Sequence, residues 1–178
     1  MIPSLTDTLC TRCALCCDGS LFADVELSGP REATGLEILG LEIDDDDADG
    51  RRLSLPCTAL CGTRCGIYAH RPKTCRSFEC RLLQDVRRGA VGVEQAGAHI
   101  TEVLKRVGRV KGLLVQLERG DSRLPLKERC AEALADDAPM NADVKRKRAE
   151  LEVAMSAVET LIAATFLDAN GAKGRGRG

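Results

Sequence analysis

The stretch that decides the fold is Cys10-Thr-Arg-Cys13-Ala-Leu-Cys16-Cys17, which places four cysteines close together near the N-terminus. Five more cysteines lie between Cys57 and Cys80, and only Cys130 stands apart. Cysteines that served merely as small core hydrophobes would not cluster in this way, whereas clustered thiolates are the soft ligands that zinc and iron–sulfur iron prefer. The pattern therefore predicts metal binding by the N-terminal half and a core position for Cys130.

The spacing within both groups is typical of metal sites. The run Cys10-x2-Cys13-x2-Cys16 lets a turning backbone aim several sulfurs at one centre, and it resembles the first three ligands of a bacterial ferredoxin cluster. The ferredoxin pattern continues with x3-Cys-Pro, whereas here Cys17 follows at once. Adjacent cysteines project differently, so Cys16 and Cys17 serve different centres or one of them binds no metal. The second group, Cys57-x3-Cys61-x3-Cys65-x9-Cys75-x4-Cys80, has the short intervals of zinc knuckles.

Composition and charge narrow the class of protein. A hydrophobic content of 44% and a charged content of 30% are typical of a soluble globular chain. The formal net charge of −1 argues against a globally basic DNA-binding protein, and three Phe, one Tyr and no Trp offer few platforms for stacking bases. No stretch approaches the ~18 apolar residues that span a bilayer, and no signal peptide is recognisable. We therefore expect a cytoplasmic protein with no membrane partner, in which disulfides are the minor alternative.

The character of the sequence changes near residue 85. We predict a cysteine-cluster metal-binding domain at residues 1–85, a helical region at 86–170 and a disordered basic tail at 171–178. In the first part, 21–27 and 53–55 read as short strands and 31–39 as a short helix. The acidic run 44–50 is predicted to be a solvated turn, because Pro56 stands where an EF-hand loop requires Glu.

Apolar stripes predict the helices of the second part. One stripe runs from Ile100 to Leu117, and its helix is expected to begin near Val93 and to end before Gly120. A second stripe runs over 144–165, with Asn141 or Asp143 placed to cap the helix, and a shorter helix is expected over 125–134. Two long helices with a short connection should pack as an antiparallel hairpin. The predicted fold class is therefore α+β, a small irregular metal-stabilised cysteine-rich domain followed by a C-terminal α-helical hairpin.

The two cysteine groups together resemble a known family. Its features are the run from Cys10 to Cys17 combined, over residues 9–82, with Pro56-Cys57, Cys65-Gly-Ile67-Tyr68, Arg71-Pro72 and Cys75-Arg76-x-Phe78-x-Cys80. This combination is similar to the YkgJ-type cysteine cluster family, the zinc- or iron-chelating domain with the CxxCxxCC signature. The resemblance implies bacterial, cytoplasmic proteins with eight shared metal-binding cysteines, here Cys10, Cys13, Cys16, Cys17, Cys57, Cys65, Cys75 and Cys80. Cys61 falls outside this set.

The sequence favours a metal-binding protein that holds zinc or an iron–sulfur cluster through about eight thiolates. Eight thiolates suffice for two four-cysteine zinc sites, or for one cluster and one zinc. One alternative is an iron–sulfur redox or methyl-transfer enzyme component, because a related domain occurs in flagellin lysine methylases. Another is a metal carrier or adaptor that binds a protein partner through its C-terminal helices.

Several side chains around the motif carry expectations of their own. Tyr68 is expected to be a packed core ring rather than a catalytic acid, and Ile67 and Phe78 are expected to join it in an apolar wall beside the metal. The two histidines, His70 and His99, are expected at the surface rather than among the ligands.

Overall fold

The computed structural model describes residues 4–46, 50–118, 123–135 and 141–167. Within these ranges the chain forms helices and short strands, so the predicted mixture of helix and sheet is confirmed. In chain order the elements are α1 (Leu5–Cys13), β1 (Asp24–Glu26), α2 (Pro30–Ile38), β2 (Ile43–Asp46), β3 (Gly50–Ser54), β4 (Leu60–Cys61), β5 (Arg64–Cys65), a 3-10 helix (Tyr68–His70), α3 (Lys73–Ser77), α4 (Arg81–Arg87), α5 (Val93–Gln116), α6 (Leu126–Ala135) and α7 (Ala142–Thr165).

The first helix, α1, was not expected from the apolar pattern, and its signal lies in its cap. The backbone N–H of Asp7 donates to Ser4 Oγ at 3.1 Å, and the Ser4 N–H donates to Asp7 Oδ2 at 3.3 Å, which forms a reciprocal capping box. The helix ends at Cys13, and the left-handed φ of 56° at the next residue, Ala14, turns the chain away from the helix axis. The CxxCxxCC run therefore begins on a helix and ends in a turn.

A three-stranded antiparallel sheet forms one side of the molecule. Strand β3 is central, and Val25 of β1 and Ile43 of β2 both stand opposite its Leu53. Helix α2 contributes two further buried residues. We call these buried residues the sheet core: Val25, Leu27, Ala33, Leu36, Leu41, Leu53 and Leu55.

The acidic run differs from its prediction. Residues 44–46 belong to β2 and pair with β3, so the expected solvated turn is wrong for them. Backbone pairing with a central strand outweighs the low strand propensity of aspartate. Residues 47–49 lie outside the described part of the chain.

The helices form the other side of the molecule. Helices α5 and α7 pack together, α6 packs on both, and α1 and α4 pack on α5. Cys130 is 2% exposed here, so its predicted core position is confirmed. We call this the helical core: Leu9, Leu15, Leu82, Leu83, Val86, Ala96, Ile100, Val103, Val107, Val110, Leu113, Leu114, Leu126, Cys130, Ala133, Leu151, Met155, Val158, Ile162 and Phe166.

The predicted helices match the observed ones closely. Asn141 caps α7, since its Oδ1 accepts the backbone N–H of Val144 at 2.9 Å. The antiparallel arrangement of α5 and α7 and the domain boundary at residue 85 stay predictions. The basic tail, 171–178, lies outside the described residues. Over the ranges given above, no helix is both long and apolar enough to cross a membrane.

Candidate metal centre

A cavity of about 730 Å³ lies between the sheet core and the helical core. Eight cysteines line it, and they are the eight named from the sequence: Cys10, Cys13, Cys16, Cys17, Cys57, Cys65, Cys75 and Cys80. Neither the exposed Cys61 nor the buried Cys130 is part of its wall. The cavity thus separates the predicted cysteines from the remaining two.

Three of these cysteines approach the cavity from the helical side. Cys10 and Cys13 lie one turn apart on α1, and Cys80 immediately precedes α4. Cys13 and Cys80 both pack against the helical core. Because α1 and α4 are themselves in contact, their packing brings these three thiols to one wall.

The turn after α1 carries Cys16 and Cys17 and is held from both sides. Leu15 is completely buried in the helical core. Asp18 accepts a salt bridge from Lys111 of α5, with 2.9 Å between Lys111 Nζ and Asp18 Oδ2. The turn is therefore held in place by a buried hydrophobic side chain, Leu15, and by a salt bridge from Asp18 to α5.

Gly19 lets the chain after this turn pass through a narrow gap. Its φ is +74°, and a Cβ built there would lie 3.2 Å from Pro125 Cα and 3.3 Å from Pro56 Cδ. Its carbonyl accepts the Leu126 N–H at 2.9 Å, which joins the loop to the start of α6. Only glycine combines this backbone conformation with this close approach.

The other cysteines approach from the sheet side. Cys57 follows β3, and its N–H donates to the Cys17 carbonyl at 2.8 Å, so the backbones of the two cysteine groups are joined directly. Cys65 stands opposite Leu60 in the β4–β5 hairpin. Cys57 and Cys75 pack against the sheet core.

Glu32 holds the short helix that carries Cys75. Its Oε1 accepts the N–H of Lys73 at 2.7 Å, and its Oε2 accepts the N–H of Ser28 at 2.6 Å. Burial opposes the charge, but these hydrogen bonds outweigh it and lower the pKa of Glu32. Thr74 adds a hydrogen bond from its hydroxyl to the carbonyl of Glu26 at 2.8 Å. Helix α3 is therefore fixed to α2 and to β1.

Burial raises the pKa of four of the cavity thiols. Burial, with a smaller contribution from the negative charge of Cys80, raises the pKa of Cys10 to about 11 and that of Cys13 to about 12. Burial also raises the pKa of Cys57 and of Cys80. These groups are therefore protonated thiols at neutral pH unless a cation replaces the proton.

Backbone N–H groups oppose this effect at three of the sulfurs. The N–H of Leu15 lowers the pKa of Cys13, that of Ala59 lowers the pKa of Cys57, and those of Leu83 and Leu82 lower the pKa of Cys80. At Cys13 and Cys57 the donor is two residues after the cysteine, and at Cys80 the donors include the N–H groups two and three residues after it. Such donors stabilise sulfur as thiolate, which is the form that binds metal.

A hydrogen bond between distant residues crosses the rim of the cavity. Tyr68 donates its hydroxyl to Asp7 Oδ1 at 2.9 Å, and the guanidinium of Arg71 lies 3.6 Å from the centre of the Tyr68 ring. Tyr68 is 44% exposed, so the expected packed core ring is wrong. It does line the cavity with Ile67 and Phe78, as the predicted apolar wall requires.

Positive charge surrounds the cavity. Arg87 forms a salt bridge with Glu79, with 2.9 Å between Nη2 and Oε1. Arg64 and Arg76 form no salt bridge with any residue that the structure describes. These three and Arg71 all line the cavity, and a zinc bound by four thiolates carries a charge of about −2 that such cations offset.

The potential metal ligands that line the cavity are its eight thiols and the carboxylates of Asp7 and Glu79. Both carboxylates already bond to other side chains, Asp7 to Tyr68 and Glu79 to Arg87. His70 is exposed and His99 half-buried, and neither lines the cavity. Among the described residues no three Cys, His, Asp or Glu side chains already stand close enough to hold one metal ion. Thiols without histidine fit zinc and iron–sulfur iron by their chemistry. Metal binding by these cysteines would require their side chains to rotate so that the sulfurs come together.

Comparison with known proteins gives one match. The profile of the CxxCxxCC family, described as "Putative zinc- or iron-chelating domain", matches residues 9–97, which is half of the chain. No curated protein and no solved structure shows significant similarity to the chain.

Proposed function

The chain belongs to the CxxCxxCC family, and from this premise we propose that its eight cavity cysteines hold zinc or an iron–sulfur cluster as thiolates. The observation that carries the proposal is the convergence of eight cysteines on one cavity while the other two lie elsewhere. They come from separate stretches of chain, so their meeting is a product of the fold and not of sequence proximity alone.

The surroundings of the sulfurs support metal binding rather than simple burial. Burial raises the pKa of Cys10, Cys13, Cys57 and Cys80, yet backbone N–H groups that favour thiolate contact three of these sulfurs, those of Cys13, Cys57 and Cys80. A bound metal ion displaces the protons and uses those donors, as metal-bound thiolates do. The arginines at the rim offset the remaining negative charge. The proposal includes a cytoplasmic location, where thiols stay reduced.

The test is the metal and acid-labile sulfide content of protein purified without oxygen, together with its visible spectrum. Zinc retained after gel filtration, or iron with sulfide and a brown colour, is the expected result. The double variant Cys61→Ser/Cys130→Ser is the matched control and should retain the same metal, since neither cysteine lines the cavity. A wild-type protein that keeps neither metal, even after anaerobic reconstitution with zinc or with iron and sulfide, overturns the proposal.

A groove between α5 and α7 supports a protein partner at the C-terminal helices. It measures about 610 Å³, and Val153, which is 71% exposed, lies in it. Lys105 and Arg109 line it and form no salt bridge with a described residue. We propose an acidic amphipathic helix of another protein as the occupant, by charge complementarity.

A photo-crosslinking amino acid at position 153 tests this partner, with the exposed Ala163 of α7 as the control position. One adduct, formed only at 153 and lost in Arg109→Glu, with an acidic helical segment at the linkage site, supports the proposal. The absence of such an adduct, or equal adducts at both positions, contradicts it.

A further inference from the structure

Eight thiolates are too many for one tetrahedral centre. A four-coordinate zinc and a four-cysteine iron–sulfur cluster each use four. The cavity wall therefore raises the question of which cysteines share a metal, and the two hydrophobic cores that flank the cavity give a basis for dividing them.

The helical side supplies one group. Cys10 and Cys13 are on one helix, Cys80 is at the start of another that touches it, and Cys13 and Cys80 pack against the helical core.

The sheet side supplies the second group. Cys57 and Cys75 pack against the sheet core. Cys65 lies in the hairpin that starts three residues after Cys57, and the Gly66 N–H donates to the Ala59 carbonyl at 2.7 Å, which folds the hairpin back on the Cys57 turn.

The remaining two cysteines, Cys16 and Cys17, are consecutive in the turn after α1. The Cys17 carbonyl accepts the N–H of Cys57, so Cys17 lies beside the sheet-side group. Cys16 continues the three-residue spacing of Cys10 and Cys13 and follows Leu15, which is buried in the helical core. The pair therefore divides between the two sides.

We propose that the cavity holds two four-thiolate centres, a helix-side centre of Cys10, Cys13, Cys16 and Cys80, and a sheet-side centre of Cys17, Cys57, Cys65 and Cys75. This inference rests on the proposed function and adds to it the grouping of the ligands. It makes the adjacent Cys16 and Cys17 the point at which the two centres meet.

Cobalt(II) titration of the full chain under reducing, oxygen-free conditions tests the grouping, because tetrahedral cobalt thiolates have visible ligand-field bands. Wild-type protein and the Cys61→Ser/Cys130→Ser control should take two equivalents. Cys10→Ser/Cys13→Ser should lose one equivalent of cobalt and half of the band intensity, because only the helix-side centre is removed. Cys57→Ser/Cys65→Ser should likewise lose one equivalent and half of the intensity, because only the sheet-side centre is removed. Cys10→Ser/Cys57→Ser should weaken both centres.

Loss of both equivalents in each same-side variant, or equal spectra for same-side and cross-side variants, overturns the grouping. Far-ultraviolet circular dichroism shows whether a variant has failed to fold. In that event the decision passes to wild-type protein loaded with zinc and treated with increasing chelator, followed by alkylation and mass spectrometry. Cysteines should become reactive in two sets of four with the membership given above, and a different membership refutes it.

Failure of this inference can be told apart from failure of the proposed function. A wild-type chain that binds no cobalt and no zinc contradicts the metal site itself. A wild-type chain that binds two equivalents but loses them in other combinations contradicts only the grouping.

Discussion

Replacement of Leu15 by alanine tests whether the helical core positions the cysteine turn. Leu15 lies between Cys13 and Cys16 and is completely buried. A buried leucine truncated to alanine costs about 2–5 kcal/mol, of which part is the lost transfer free energy and part the cavity left behind. We expect about 3 kcal/mol, which for a chain of this size lowers Tm by about 6–12 °C. Because the turn loses its anchor, metal affinity should also fall, by about 10–100-fold.

The matched control is Leu151→Ala. Leu151 is equally buried in the helical core but lies on α7, away from the cysteine turn. Urea denaturation followed by circular dichroism measures the free energy of unfolding of each variant with metal bound, and competition with a chromogenic chelator measures metal affinity. Both variants should lose similar stability, and only Leu15→Ala should lose affinity. Equal affinity losses in the two variants, or no loss in Leu15→Ala, would refute the role of Leu15 in positioning the thiols.

Three further predictions concern particular contacts. A double-mutant cycle of Asp18→Asn and Lys111→Met, measured by urea denaturation, should give a coupling free energy of about 0.5–1 kcal/mol between the two side chains. A coupling free energy of zero would mean that the salt bridge does not hold the turn. Burial raises the pKa of Cys130 to about 11 from 9.0, so the unfolded chain ionises first and stability falls as pH rises above 9.0. This loss of unfolding free energy, about 1 kcal/mol between pH 8 and pH 10, should be absent in Cys130→Ala. A Cys130→Ala variant whose stability depends on pH as that of the wild type does would contradict the prediction. The pKa of Glu32 is lower in the folded chain than its unfolded value of 4.5. The stabilisation that this carboxylate gives the fold is therefore present at pH values above 4.5 and is lost as pH falls through the folded pKa. Glu32→Gln should cost about 1 kcal/mol at pH 7 and less in acid, and a cost that does not depend on pH argues against this role.

Local patterns were sufficient for the helices of the second half. The stripe from Ile100 onward is a property of one segment, and so is the capping position of Asn141. The core position of Cys130 also follows from its isolation from the other cysteines. The two helix features depend on residues a few positions apart, which is the range over which amphipathic periodicity and capping act.

Long-range contacts were beyond the reach of those patterns. Tyr68 was expected in a core because aromatic rings usually pack, yet its hydroxyl binds Asp7, which lies 61 positions earlier in the chain. The salt bridge between Asp18 and Lys111 spans 93 positions and has no local signal. Helix α1 could have been found from Ser4 and Asp7, whose spacing is that of a capping box.

The helical region takes part in the site. Ile100 of α5 and Phe166, which follows α7, both line the cysteine cavity, and the Phe166 carbonyl accepts the N–H of Arg81 at 3.0 Å. Leu9 and Leu15 from the first part of the chain are members of the helical core. The cavity is therefore built by the two parts together, although the sequence divides near residue 85.

The most direct test of the central claim is the alkylation of cysteines in metal-loaded protein, resolved by mass spectrometry, before and after chelation. Cys61 is exposed and should react in both states, whereas the buried Cys130 should react only after unfolding. The account predicts that the eight cavity cysteines are protected while metal is bound and become reactive when it is removed. Eight cysteines that react equally fast in both states would contradict the claim that they hold the metal.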